Sequence, residues 1–416
     1  MSCFVFFAVP LFGHVNYGLK IAKRLAENGH EVYYFSGNKY KNMVEQKGVV
    51  HCSYDTEIEE AFAVENSTYD VSNVNNVDYE KIDYIDELWR LGWHLFSITD
   101  CIRKKCLVYF RNINPDAIVY DSIAIWGKWL AWQLQIPAIT SCTPYYYSRE
   151  MISKEPAFFS KAVLRQKDSI NLDINHVFKV MNKRLWIEYP ELKNLDITTS
   201  YAGSGDTNII FSSEQLQRNI DLIKKENNHF VGIMIDEGDT AHDVSYFISQ
   251  GKPNIYIALG TIHNDAMVYQ ACVDALREFD FNVVMSVGKA NQANRLLQIP
   301  TSWRVENSVP QIALLKKIDV FISHGGVNSV REASHFGVPI VIIPKAGDHY
   351  IIAEDIRRKN TGIVINNYKD TDEIRRAVLK CLQNQSIKHA CKKMAEEMQS
   401  LGGLERVVEI IEAKLN

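Results

Sequence analysis

The sequence predicts an α/β protein of two domains, each a parallel sheet with helices on its faces, meeting across a cleft. Three observations carry that reading. The chain has 416 residues, more than one hydrophobic core ordinarily serves. It opens on an apolar run, a turn, a helix-spaced segment and a second apolar run, the β-loop-α-β unit from which parallel sheets are built. The same rhythm restarts after Phe230, beyond a break near 225–250.

In the first half, Cys3 to Pro10 reads as a buried strand followed by a turn at Gly13-His14. Leu19, Ala22, Leu25 and Ala26 recur at helical spacing until Gly29, and Glu31 to Phe35 is the next strand. Residues 55–87 hold eleven acidic residues and one basic one, Lys81, and read as a long loop. Helical spacing resumes from Ile85 to Lys104. Ala117 to Tyr120 is a buried strand ending at Asp121, and Ile125 to Leu134 is helical. Ile136 to Thr140 and Asn208 to Phe211 are further strands, with helical, aromatic sequence over 150–200 between them. In the second half the expected strands are Ile255–Leu259, Asn282–Ser286, Val320–Ser323, Ile340–Pro344 and Gly362–Ile365. Helices fall at about 265–278, 372–383 and 385–400, and Leu404 to Leu415 is a last amphipathic helix. The expected division is therefore 1–228 and 251–400 for the two domains, 229–250 for a linker and 401–416 for a C-terminal helix.

The most informative segment is the glycine turn after Val320–Ser323. His324, Gly325 and Gly326 lead directly into a helix. Glycines let the backbone approach a ligand closely, and a helix start presents free N–H groups that favour an anion such as phosphate. Asn328 and Ser329 would add side-chain donors. Glu332, eight residues after His324, would repel a phosphate but suits hydroxyls such as a ribose diol. The plain alternative is a tight strand-to-helix turn capped by Ser or Asn. Gly260-Thr261 and the loops at 307–311 and 345–349 would open on the same side of a parallel sheet, where ligands of such sheets bind.

Lys and Arg total 46 against 50 Asp and Glu, a balance that argues against nucleic acid as the main partner. The eight cysteines form no CxxC pair and no zinc spacing. No secretory leader pattern and no apolar run of ~20 residues is found. These features read as a cytoplasmic protein with reduced thiols and no integral membrane segment.

Taken in order, Gly13-His-Val-Asn16, Pro115-Asp-Ala-Ile-Val-Tyr-Asp121, Phe230-Val-Gly232, Ala258-Leu-Gly-Thr261, Val284-Met-Ser-Val-Gly288, Val309-Pro-Gln311, His324-Gly-Gly-Val-Asn-Ser329 and Gly337-Val-Pro-Ile-Val-Ile-Ile-Pro344 spell a family. The chain resembles the nucleotide-sugar-dependent glycosyltransferases of family one, with the GT-B fold, and within them the bacterial macrolide glycosyltransferase group. The resemblance spans nearly the whole chain and is most specific in the second half. It implies two Rossmann-like domains, the first for an acceptor and the second for a nucleotide sugar, with the C-terminal helix packing back on the first. It implies His14 as general base and Asp121 as the carboxylate that holds it. It further implies Thr261, His324, Asn328 and Ser329, with the Gly325-Gly326 turn, as diphosphate contacts. Val309 and Gln311 match nucleoside contacts, Glu332 the ribose ligand, and Asp348 and His349 the pair that contacts the sugar hydroxyls. Tyr17 stands where the family often has proline, which implies a reshaped acceptor mouth. His349 stands where glutamine is common, a change that accompanies galactose preference in some relatives and leaves glucose and galactose both open.

The activity implied is transfer of a hexose from a UDP- or dTDP-sugar to a hydroxyl of a small hydrophobic acceptor such as a macrolide, polyketide or flavonoid, with inversion. A hydroxyl is a poor nucleophile at neutral pH, and a histidine is a fitting base for it. Outside that context a lone His14 is as a rule structural or exposed, and Asp121 a helix cap. The donors at 324–329 would take the leaving group's charge, so neither a metal nor a cofactor is expected. Asp370-Thr-Asp372 precedes a helical run and reads as a cap at Thr371 rather than a metal site. Trp89, Trp93, Tyr145, Tyr146 and Tyr147 join Tyr17 as candidates for an aromatic acceptor wall. Trp126, Trp129 and Trp132, at near-helical spacing, fit a core or helix surface. The alternatives are a non-catalytic nucleotide-sugar-binding or partner-activating protein and a nucleotide-sugar epimerase of the same fold.

Overall fold

The computed structural model describes residues 1–54, 59, 98–110, 112–143, 145–155, 174–190, 193, 205–260, 265–288, 296–345 and 348–415. Two parallel sheets organise them. The first takes β1 (Cys3–Phe7), β2 (Glu31–Ser36), β3 (Val50–Ser53), β4 (Ala117–Asp121), β5 (Ala138–Cys142), β6 (Thr207–Ile210) and β7 (Asn228–Phe230) in the order β3-β2-β1-β4-β5-β6-β7. The second takes β8 (Asn254–Ala258), β9 (Asn282–Ser286), β10 (Arg304–Glu306), β11 (Val320–Ser323), β12 (Ile340–Ile342) and β13 (Gly362–Val364) in the order β10-β9-β8-β11-β12-β13. Both are doubly wound. The strand order reverses between β1 and β4 in one sheet and between β8 and β11 in the other, and a crevice opens at the carboxyl ends of such neighbours.

The apolar runs form strands because both faces of each sheet are covered. Successive side chains of β1 go to opposite faces: Phe4 and Phe6 into one core, Val5 and Phe7 into another. In β8, Ile255 and Ile257 join one cluster and Tyr256 and Ala258 a second. That second cluster also holds Ile125, Trp129 and Tyr145 from the first half of the chain with Ile351 and Ile356 from the second, so apolar side chains fill the junction between the halves. The helix Phe12–Glu27 ends where Gly29 takes a φ of +87°, the left-handed geometry that glycine accepts without strain. The last helix, Gly403–Ala413, lies along Phe12–Glu27. Its Val407 and Ile411 share a core with Leu19 and Ala22, Glu405 pairs with Arg24, and Asn28 donates to Glu412 at 2.8 Å.

Three strands escaped the sequence reading: β3, β7 and β10. Each is three or four residues long and lies at or beside a sheet edge, without the apolar run that marks a buried strand. Asp370-Thr-Asp372 does cap the helix Thr371–Gln383, but the cap is Asp370, one residue before the Thr371 expected, with its carboxylate accepting from Asp372 N and Glu373 N. The acidic stretch 55–87, apart from Glu59, lies outside the described residues. Glu59 accepts from Asn38 N at 2.6 Å.

Candidate active site

The helix Phe12–Glu27 follows β1 and carries His14 in its first turn, at the carboxyl end of the sheet. Asp121 is the last residue of β4, hydrogen-bonded beside β1. The fold thereby joins two residues 107 apart in sequence: His14 Nδ1 donates to Asp121 Oδ2 at 2.8 Å. Asp121 is buried and spends its second oxygen on Ile123 N at 3.0 Å, closing the turn after β4. Asp121 is not the helix cap that was its plain alternative, because the helix Trp126–Leu134 starts after Ile125; one oxygen closes the local turn and the other meets the imidazole. Burial pushes the His14 pKa down, and the Asp121 charge and hydrogen bond more than reverse this, leaving it above 6.5. With Nδ1 engaged, Nε2 is the ring nitrogen left for proton exchange.

Opposite them, the second sheet offers its own switch point. Gly260 follows β8 with a φ of +75°, and Gly325 follows β11 with a φ of +91°. The imidazole of His324 is wedged between two glycines: a Cβ added to Gly260 would fall 2.7 Å from it, and one added to Gly326 2.6 Å from it. Gly326 caps the helix Val327–His335, whose first turn carries Asn328 and Ser329. On this helix Glu332 accepts from Gln311 Nε2 at 2.6 Å, and the same amide lies 3.3 Å from Ser329 Oγ. Gln311 is fixed from its other end by the Tyr256 hydroxyl, which donates to its Oε1 at 2.9 Å. Burial pushes the Glu332 carboxyl up to about 7, against the Gln311 hydrogen bond and the Lys20 charge, which favour its ionised form. Val309 is partly buried against the apolar cluster of the junction.

His349, in the first turn of the helix Asp348–Lys359, is buried with its ring edge-on to His324, centroids 4.6 Å apart. The half-exposed Asp348 places Oδ1 3.9 Å from His349 Nε2. Among the proposed site residues, His14 with Asp121 and Gln311 with Ser329 and Glu332 are thus brought into direct contact, as are His324 and His349. Thr261, Trp89 and Trp93 lie outside the described residues.

The aromatic wall is placed differently from the expectation. Tyr145, Tyr146 and Tyr147 are all buried within the apolar junction. Tyr145 donates to Asp355 Oδ2 at 3.1 Å and accepts from Arg218 N at 3.0 Å, and Tyr146 donates to Asn228. They are buried in that cluster instead of facing an open mouth, and Tyr145 ties the first half to Asp355 in the second. Tyr17 is likewise buried, against Phe211 with ring centroids 4.9 Å apart. Trp126 and Trp129 are core, and Trp132 is exposed.

Two neighbours of these residues had no place in the sequence reading. Thr143 follows β5, and its hydroxyl donates to Asp121 Oδ2 while lying 3.4 Å from His14 Nδ1. Its position past the carboxyl end of a strand was the available signal. Arg331 reaches back across the junction, and its sequence context, inside a helix, gave no signal at all. The described residues contain no group of three or more His, Cys, Asp or Glu that could hold a metal ion, and none of their helices is long and apolar enough to cross a membrane.

Residues 270–413 match the family described as Erythromycin biosynthesis protein CIII-like, C-terminal domain. The NDP-glycosyltransferase YjiC of Bacillus subtilis (strain 168) is 27% identical over 413 residues, covering 97% of this chain and 95% of its own. The demethyllactenocin mycarosyltransferase of Streptomyces fradiae is 26% identical, covering 100% of this chain and 87% of its own. Among solved structures, the calicheamicin glycosyltransferase CalG4 superposes with a TM-score of 0.79 at 20% identity, covering 100% of this chain and 98% of its own. The fold, the two facing switch points and the end-to-end likeness agree: this chain has the GT-B fold and is similar over nearly its whole length to macrolide-type glycosyltransferases.

Proposed function

We propose that the protein is an inverting O-glycosyltransferase that moves a hexose from a UDP- or dTDP-sugar to a hydroxyl of a small hydrophobic acceptor, without a metal ion. One observation carries the reading. The helix turn that bears His14 sits directly against the start of the Val327–His335 helix: a Cβ added to Gly13 would lie 3.7 Å from Asn328 Nδ2. A base and an anion-favouring helix start therefore lie close together, as in-line displacement at an anomeric carbon needs.

In this mechanism His14 Nε2 takes the acceptor proton as the hydroxyl oxygen attacks the anomeric carbon. Asp121 stabilises the imidazolium through Nδ1–H and holds the ring in one tautomer, as the carboxylate of a Ser-His-Asp triad does. The bond to the nucleoside diphosphate breaks on the opposite side, so the configuration inverts. The departing charge is taken by the amides and side chains at 324–329, where other transferases use a divalent cation. Val309 and Gln311 meet the nucleoside, Glu332 the ribose hydroxyls, and Asp348 and His349 the sugar. The name of the S. fradiae relative, a demethyllactenocin mycarosyltransferase, supports a natural-product acceptor.

The test is a donor-by-acceptor screen read by mass spectrometry. UDP-glucose, UDP-galactose, UDP-GlcNAc and dTDP-sugars are paired with macrolide, flavonoid and aminoglycoside hydroxyls, with and without EDTA. The expected result is one added hexose, unaffected by EDTA. Nucleotide-sugar protection against heat without transfer to any acceptor would favour a binding protein, and interconversion of the donor sugar would favour an epimerase.

A further inference from the structure

Arg331 is a cationic side chain with 3% of its surface exposed, on the helix that carries Ser329 and Glu332. Burial pushes its pKa below the usual arginine value. Ser329 and Glu332 turn toward Gln311, within the second half of the chain. Arg331 instead crosses to the first half, where its Nη1 donates to the backbone carbonyl of Thr143 at 2.6 Å. Thr143 N is already held by Ser141 O at 3.2 Å, so both sides of the residue are tethered. Its hydroxyl is aimed at Asp121 Oδ2, the oxygen that also accepts from His14 Nδ1. A chain of contacts thus runs from the donor-side helix through Thr143 and Asp121 to His14.

We propose that Arg331 is a positioning residue for glycosyl transfer: it fixes the Thr143 carbonyl so that Thr143 orients Asp121, and Asp121 orients the base. The proposal rests on the transferase reading of the site. It assigns to one helix two tasks, since Ser329 and Glu332 serve the donor while Arg331 sets the base. A donor-side helix that shifts therefore carries the base geometry with it, and proton removal is competent only when the halves are in register. Misplacement of a reacting group by about 1 Å can lower a rate by about 10²-fold, which sets the scale of effect.

The experiment compares Arg331→Met, Arg331→Lys and Thr143→Val. Each is measured for kcat, for donor KM, for protection against heat unfolding by the nucleoside diphosphate, and for the His14 titration midpoint by NMR of ring-labelled histidine, assigned with His14→Gln. Arg331→Met is expected to lower kcat roughly 10–100-fold, with donor KM and nucleotide protection changed by less than about twofold. Its His14 midpoint is expected to fall, because a loosened Asp121 no longer offsets burial. Thr143→Val should reproduce that fall, and Arg331→Lys should restore part of kcat by keeping a cationic donor in reach of the carbonyl. A midpoint that rises would mean that Arg331 acts only as a nearby positive charge. A parallel loss of kcat and nucleotide protection would mean that it only props the donor helix, and unchanged kcat and midpoint would remove it from the relay. If the wild type transfers no sugar, the transferase reading fails by that result, and the His14 midpoints still decide whether Arg331 governs the base. Should Arg331→Met not fold, Arg331→Lys and Thr143→Val carry the same comparison.

Discussion

His14 is subject to two opposed influences, and their balance sets a testable pH dependence. Burial disfavours the imidazolium, while the Asp121 charge and hydrogen bond favour it and prevail. The protonated pair stabilises the fold fully below the unfolded histidine pKa near 6.5, and that contribution is lost as pH rises through the higher folded value. The base form accumulates over the same interval, so kcat is expected to climb through a midpoint above 6.5. Asp121→Asn removes both upward influences and leaves burial. Its kcat should fall by roughly 10²–10⁴-fold, and the acidic limb of its pH–rate profile should move to lower pH. An unmoved limb would show that another group controls it. Glu332 makes the converse case. Its carboxyl is raised to about 7, so it stabilises the fold below the unfolded carboxyl pKa and loses that contribution as pH rises through about 7. Ribose hydroxyls donate best to the ionised form, so donor affinity should rise with pH across that value. Glu332→Gln should abolish the dependence and weaken donor binding by about 10–100-fold, the worth of hydrogen bonds to a charged group. Calorimetric titration with the nucleoside diphosphate at pH 6 and 8 measures both.

At the scale of elements, the site is built from strand ends and the turns that leave them. Gly326 is needed because His324 occupies the space where its side chain would stand, and Gly325 because its φ is +91°. Gly326 has a φ of −60°, which any residue adopts, so Gly326→Ala is a purely steric change. It should displace His324 and weaken nucleotide binding by about tenfold or more, on the scale of a forced side-chain shift of ~1–3 kcal/mol, while the far-UV dichroism stays that of the wild type. Binding within error of the wild type would show that His324 does not matter to the donor. The same elements show what could be read in advance. β8 and β11 are continuous apolar runs buried on both faces, and the sequence marks them plainly. β10 contains Arg304 and Glu306 within three residues, and its strand state comes only from pairing with β9. Likewise the candidate residues His14, Asp121, Gln311 and Glu332 were picked out because each stands in a local motif that resembles the family's, although His14 and Asp121 meet only across 107 positions. Thr143 and Arg331 were not, because their importance lies in a contact between positions 188 apart that only the assembled fold creates.

The whole molecule is two doubly wound sheets held together by an apolar junction and by the last helix, which returns to the first half. Leu404, Val407, Val408, Ile410 and Ile411 complete the core over the Phe12–Glu27 helix. At ~1.5–3 kcal/mol per buried side chain, their removal costs on the order of 10 kcal/mol as an upper estimate, as much as a domain's net stability. A chain ending at Gly402 is therefore expected to lose cooperative heat unfolding of its first half and to be cut rapidly there by protease. A melting temperature equal to that of the full chain would contradict this. The buried tyrosines at 145–147 add to that junction as part of its apolar cluster, and Tyr145 crosses it to Asp355.

That His14 is the base and the second sheet's helix start the donor site is tested most directly by the single-turnover rate of sugar transfer in His14→Ala, with nucleotide protection against heat measured on the same sample. The predicted result is a rate lower by roughly 10²–10⁴-fold with protection by the nucleoside diphosphate intact. A transfer rate equal to that of the wild type would contradict the claim and remove His14 from the chemistry.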